Sequence, residues 1–176
     1  MMEKGLIIVH TGDGKGKTTA ALGLAIRAWG AGKRVLILQF IKGGQSYGEL
    51  VALKKLAEDG RLEVRQCGKG FTRRGGDMEK HKLAAEAALR EAKNEIMSGN
   101  WDLVILDEIN YALNFGLVEK EKVLAILREK PEKLHLVLTG REAAPEVIEL
   151  ADLVTEMKKI KHPFDVGIKA QSGIEF

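Results

Sequence analysis

The stretch GDGKGKTT, Gly12–Thr19, gathers residue types that bind phosphate. Gly12, Gly14 and Gly16 let the chain turn tightly and aim successive main-chain N–H groups at phosphate oxygens. Lys17 supplies a cation for the terminal phosphates, and Thr18 supplies a hydroxyl for Mg²⁺. Asp13, Lys15 and Thr19 complete the candidate nucleotide-binding set; Lys15 reads equally as a contact or as a solvated loop charge. The usual pattern is G-x-x-x-x-G-K-[ST]. Gly16, Lys17 and Thr18 fit its second half, but Thr11 stands where the first glycine belongs. The expected partner is a carboxylate at the end of another buried strand. LVILDE, Leu103–Glu108, ends in Asp107 and Glu108. Thr18 and these two acids form a candidate Mg²⁺ or Mn²⁺ site. Which carboxylate meets the ion directly, and which through water, is open. Together the two motifs predict binding of Mg-ATP or Mg-GTP. No N-K-x-D stretch follows the later strands, which speaks against guanine.

These residues need strands and helices to hold them. The apolar runs Leu6–Val9, Val35–Leu38, Leu103–Leu106 and Leu134–Leu138 suit strands buried on both faces of a parallel sheet. Leu62–Gln66 and Leu153–Met157 are weaker strand candidates. Helical spacing fills the gaps at Lys17–Ala31, Gly48–Glu58, Met78–Ser98 and Val118–Glu129. Gly32 and Gly99 suit helix ends, and Pro131 follows a helix stop. Strands alternating with helices predict an α/β fold with a parallel sheet and ligands at its carboxyl edge. Gly68–Gly76 reads as a basic loop. The segment 161–176 reads as an irregular tail lying near the sheet edge.

The bulk numbers set limits. A chain of 176 residues predicts one domain. Hydrophobic residues make up 45% and charged residues 30%, a balance that argues against disorder. The net charge of +3 is too mild to imply nucleic acid. Cys67 is the sole cysteine, so no internal disulfide and no multi-cysteine metal site is expected. His81 and His135 lack ligand spacing, His10 reads as a packing residue at a strand end, and no structural zinc is expected. No apolar run approaches the roughly 20 residues of a membrane helix. The early first strand leaves no room for a leader, and a cytoplasmic protein is expected.

Three further stretches carry a resemblance: GFTRR at Gly70–Arg74, LTGREAAPEVIELADLVTEM at Leu138–Met157, and KHPFDVGIKAQSGIEF at Lys161–Phe176. With GDGKGKTTAALGLA and LDEINY, the chain resembles the ATP:corrinoid adenosyltransferase family in order from Gly5 to Phe176. The resemblance implies a RecA-like P-loop domain with about six mostly parallel strands in the order 3-2-4-5-1-6. It implies transfer of the 5′-deoxyadenosyl group of ATP to the cobalt of a reduced corrinoid, with triphosphate as leaving group. The acceptor would be cobalamin, cobinamide or cobyrinic acid a,c-diamide, and the electron would come from a flavoprotein or flavin. A cytoplasmic homodimer is implied, with no membrane and no nucleic acid.

The resemblance also assigns residues. Lys17, the loop amides, Mg²⁺ and Arg141 of the TGR stretch would stabilise the leaving triphosphate. The family is understood to bind ATP in the reverse sense along its loop, and Thr11 in place of glycine is compatible with that. Phe71 would press on the lower face of the corrin and displace its axial ligand, easing reduction to Co(I). Arg73 stands where many members carry Trp, which suggests a corrinoid with acidic side chains or one lacking its nucleotide loop. His162, Phe164 and Gln171 would close over the nucleotide and the corrin, though His162 taken alone reads better as a structural residue, while Asn110 and Tyr111 either shape the site or pack. From the residues alone, rival readings remain: a RecA-like ATPase acting on nucleic acid or a protein partner, a small-molecule kinase, and a non-enzymatic nucleotide-binding regulator.

Overall fold

The computed structural model describes residues 4–44, 47–70 and 78–175. Phe71 and Arg73, both assigned to the corrin from sequence, lie outside the described residues.

Among the described residues six strands form one sheet: β1 (Ile7–Thr11), β2 (Val35–Gln39), β3 (Leu62–Gln66), β4 (Leu103–Asp107), β5 (His135–Thr139) and β6 (Leu153–Glu156). Their order is β3-β2-β4-β5-β1-β6, and each pairing is parallel. This is the order the family resemblance implies. All strand carboxyl ends therefore share one edge, and β5 separates β1 from β4.

Among the described residues six α-helices cover the sheet: α1 (Lys17–Gly30), α2 (Gly48–Leu56), α3 (Met78–Met97), α4 (Ile109–Asn114), α5 (Lys120–Glu129) and α6 (Pro145–Leu150). Side chains alternate across each strand. Ile8, Val35, Ile37, Ile105 and Val137 face α1 and α2. Val9, Leu36, Leu38, Leu106 and Leu138 face α3 to α6. Both faces of β2 and β4 are buried throughout, which is why they read as unbroken apolar runs. Each such Leu, Ile or Val contributes roughly 1.5–3 kcal/mol by leaving water.

The helix stripes follow the same logic. On α1 the buried residues are Lys17, Ala21, Leu22, Ala25 and Ala28, and the alanines let the helix lie close to the sheet. Gly32, at φ +83°, follows the last turn as expected. On α3 the buried set is Ala85, Ala88, Leu89, Ala92 and Ile96.

Some details differ from the sequence reading. β1 extends to Thr11, so the residue replacing the usual first glycine belongs to the strand. The segment read as Gly48–Glu58 divides into α2 and a 3₁₀ turn at Ala57–Asp59. The helix read from Val118 begins at Lys120, while Val118 itself is buried in the core. The tail is irregular apart from a 3₁₀ turn at Pro163–Val166. The four residues of β6 are all exposed.

Candidate active site at the carboxyl edge

The loop between β1 and α1 is shaped by its neighbours. Gly16 caps α1 with φ +118° and brings no side chain to the helix N-terminus, and no acidic residue lies in the first turn. The first-turn amides are thus available to an anion. β6 leads its following residues against the other side of the loop. Gly14 N donates to Met157 O at 2.6 Å, and Met157 N donates to Thr11 O at 2.8 Å. A Cβ on Gly12 would lie 2.5 Å from Met157 O, and one on Gly14 would lie 2.6 Å from the same atom. The displaced glycines therefore have a local cause: they stand where the end of β6 presses on the loop. Thr11 is buried, and its hydroxyl accepts from Ala143 N at 3.0 Å.

Lys17 is turned into the loop, donating to Gly12 O at 2.8 Å and Gly14 O at 2.7 Å. Burial, and then the Arg141 cation, hold its ammonium below the ordinary lysine value. Asp13 faces outward, where its carboxylate accepts from Lys159 N at 3.0 Å; that bond holds its pKa below the usual range. Lys15 makes a contact, donating to Ile174 O of the tail at 2.6 Å.

Across β5 stands the acid pair. Asp107 is 1% exposed. Its Oδ1 accepts from Thr18 Oγ1 and from Thr139 Oγ1, each at 2.8 Å. Its Oδ2 accepts from Gln39 Nε2 at 3.3 Å. Glu108 adopts φ +62°, and its N–H donates to Thr139 Oγ1 at 2.8 Å. Burial, and then the Asp107 charge, push the Glu108 carboxyl above its usual range. Gly140, at φ +130°, lets α4 approach: a Cβ there would lie 2.8 Å from that of Asn110. Asn114 Nδ2 then donates to Arg141 O at 2.9 Å, fixing the loop that presents Arg141.

Two clefts open on this edge. One, of about 640 Å³, is lined by Gly16, Thr18, Thr19, Lys42, Tyr47 and Glu49, among others. The other, of about 690 Å³, is lined by Asp13, Gly14, Tyr111, Phe115, Arg141 and His162, among others. Lys15, Lys17, Glu108 and Glu175 line both. A larger cleft of about 740 Å³ lies between α2 and β3 and is lined by none of the candidate site residues.

The loop residues, Thr18, the acid pair, Arg141 and His162 thus converge. Phe164 and Gln171 are not among the described residues lining the two clefts, and Phe164 is 78% exposed. His162 Nδ1 accepts from Phe164 N at 3.2 Å, so part of its role is to shape the tail turn. Tyr111 stacks on Phe115 with ring centroids 4.1 Å apart, and both line the second cleft. Asn110 is fully buried. His10 is half-buried with both ring nitrogens unpartnered, and burial lowers its pKa. Sequence reasoning missed Thr139 and Gln39. The TGR stretch drew notice for its arginine, and Gln39 follows VLIL with no motif of its own. Lys42, Tyr47 and Glu49 were also missed.

Among the described residues no group of three or more His, Cys, Asp or Glu side chains is placed to hold a metal. Mg²⁺ keeps several waters and takes one or two carboxylates plus substrate phosphates. The donor set of hydroxyl and carboxylate at Thr18, Asp107 and Glu108 is chemically suited to this hard cation. Thr18 gives its only proton to Asp107 and keeps its lone pairs. No helix among the described residues is long and apolar enough to cross a membrane.

A parallel six-stranded sheet flanked by helices, with a glycine loop from β1 into α1 and acids ending β4, defines an α/β P-loop NTPase-like fold. Within that class the chain matches the family ATP:corrinoid adenosyltransferase BtuR/CobO/CobP over residues 3–176. It is 44% identical to a corrinoid adenosyltransferase of Pseudomonas aeruginosa, across 99% of this chain and 85% of that one. It is 46% identical to one from Sinorhizobium sp., across 99% and 81%. To one from Escherichia coli strain K12 it is 40% identical, across 99% and 87%. The chain belongs to the ATP:corrinoid adenosyltransferase family.

Proposed function

We propose that this protein transfers the 5′-deoxyadenosyl group of ATP to the cobalt of a Co(I) corrinoid in cobalamin biosynthesis. The observation that carries this reading is a family match from residue 3 to 176, on a chain whose loop lysine, acid pair and arginine converge at one edge. The cobalt electron pair forms a Co–C bond at ribose C5′. The C5′–O bond breaks, and its electrons leave with the triphosphate.

A Co(I) centre is a strong nucleophile and needs no general base, so the protein's task is to hold the reactants and take up the charge of the leaving group. The first-turn amides of α1, Lys17 and Arg141 are suited to that, and one such donor is typically worth about 10²–10³ in kcat. Lys17 already makes two bonds with loop carbonyls and would exchange them for phosphate oxygens. Thr18 and Glu108 would hold Mg²⁺, with Asp107 acting through Thr18 because its own oxygens are engaged inside the protein. Bound Mg²⁺ would neutralise developing negative charge on the phosphates. Gly12, Asp13, Gly14, Lys15, Gly16 and Thr19 would frame the triphosphate. His162, Phe164 and Gln171 belong to a tail that would close near the nucleotide and corrin, and Phe71 and Arg73 would bind the corrinoid. We extend the reading to a single domain, a cytoplasmic homodimer and a flavoprotein or flavin electron donor.

The test is an anaerobic mixture of protein, Mg-ATP and chemically reduced cob(I)alamin. A light-sensitive adenosylcobalamin spectrum supports the reading. No corrinoid change with either cobalamin or cobinamide refutes it.

A further inference from the structure

β5 stands between the strand that feeds the phosphate loop and the strand that ends in the acid pair. Its last residue, Thr139, is fully buried. One hydroxyl there makes two bonds. It donates to Asp107 Oδ1 at 2.8 Å and accepts the main-chain N–H of Glu108 at 2.8 Å. A hydroxyl has a single proton, so the donation to Asp107 leaves its lone pairs to receive Glu108 N. The same Oδ1 takes the proton of Thr18. Glu108, meanwhile, sits in the left-handed region at φ +62°, which strains a residue with a Cβ and persists only where the surroundings hold it. The bond from its N–H to Thr139 is one such hold.

We propose that Thr139 is a positioning residue for the metal–triphosphate end of the reaction. The inference rests on the adenosyl-transfer reading. Thr139 touches neither substrate. It sets the Asp107 carboxylate that orients Thr18, and it sets the main-chain turn that aims Glu108 toward the two clefts. Both effects run through one oxygen atom, so the methyl group of Thr139 is dispensable and its hydroxyl is not. Gly140 then turns the chain away, so the next side chain, Arg141, lines the cleft beside Lys17 and Glu108.

The experiment compares Thr139→Val, Thr139→Ala and Thr139→Ser with wild type. Two quantities are read: the Mg²⁺ concentration giving half-maximal binding of a fluorescent ATP analogue without corrinoid, and kcat for adenosylation of cob(I)alamin. Melting by circular dichroism confirms that each variant is folded; the alanine variant serves if valine fails to fold. Outer-sphere partners of this kind typically govern about 10–100-fold in metal affinity or activity. The expected result is a rise in required Mg²⁺ and a fall in kcat, each about 10–100-fold, in Val and Ala, with Ser close to wild type. Unchanged Mg²⁺ dependence in Val and Ala overturns the proposal. So does a Ser variant as impaired as Ala, because the methyl would then be what matters. If wild type binds the ATP analogue with Mg²⁺ yet alkylates no corrinoid, the adenosyl-transfer reading fails while the Mg²⁺ comparison still decides the role of Thr139.

Discussion

Lys15 Nζ donates to the main-chain carbonyl of Ile174 at 2.6 Å, joining residues 159 positions apart. The bond sets the tail between the two clefts, with Glu175 lining both. Residues 173–175 are otherwise exposed, so the tail is held at the site by few contacts. Removing residues 171–176 should leave the melting temperature within a few degrees, since little apolar surface is lost. It should raise KM for corrinoid or ATP about 10-fold or more, as ordered closing segments do when lost. Lys15→Met should show the same direction at a smaller size, about one exposed hydrogen bond. Thermal melting and steady-state kinetics on both variants check this; a truncated protein with unchanged KM values would leave the tail without a role in substrate binding.

Lys17→Ala should abolish measurable Mg-ATP binding and lower kcat/KM by about 10²-fold or more. Stability should change by only about 1 kcal/mol, because the lost bonds to Gly12 and Gly14 are offset by removing a buried cation. Calorimetric titration and denaturant unfolding measure the two effects separately.

Asp107→Asn and Asp107→Leu should differ. An asparagine oxygen can still accept from Thr18 and Thr139, and its amide can meet Gln39 Oε1, a buried atom without a partner, once Gln39 turns over. The asparagine variant should fold near wild type and lose activity about 10–100-fold through weakened Mg²⁺ binding. The leucine variant leaves buried donors unmatched and should lose about 2–4 kcal/mol of stability. Urea unfolding of both variants, with activity over a Mg²⁺ series, separates the charge from the packing.

Asp152 ties β1 to the turn before β6. Its Oδ2 accepts from Ile7 N at 2.9 Å and its Oδ1 from Lys4 Nζ at 2.7 Å. The Ile7 N–H, and then Lys4, hold its pKa below the ordinary aspartate value. A carboxyl with a depressed folded-state pKa adds stability above the unfolded value of about 3.9, and loses it as pH falls through the folded value. Asp152→Asn should therefore cost about 1 kcal/mol at pH 7, discounted for exposure. The gap to wild type should close below about pH 4. Urea unfolding across pH 2–7 gives the two curves.

Much of this was readable in the residues. β2 and β4 are buried on both faces, so their sequences are unbroken apolar runs, and the acids ending β4 stand out against them. Strand order was not readable that way; it came with the family resemblance, because parallel strands leave no local mark of their neighbours. α4 and α6 have six residues each, too few for a helical stripe to repeat. The placement of Gly12 and Gly14 looked like a departure from a phosphate-loop pattern. Its cause is Met157, a residue far along the chain that meets the loop only once β6 has paired with β1. Thr139 was hidden for the same reason: a hydroxyl at a strand end acquires meaning only when the strand order sets it beside Asp107.

The most direct test is which bond of ATP breaks. Phosphorus NMR should follow an anaerobic reaction of wild-type protein, Mg-ATP and cob(I)alamin, with the adenosylated corrinoid counted by its visible spectrum. The account predicts triphosphate and adenosylcobalamin in equal amounts, with no ADP, and nothing released when the corrinoid is omitted. ADP or phosphate appearing at the same rate with and without corrinoid would contradict it, and would identify a P-loop ATPase instead.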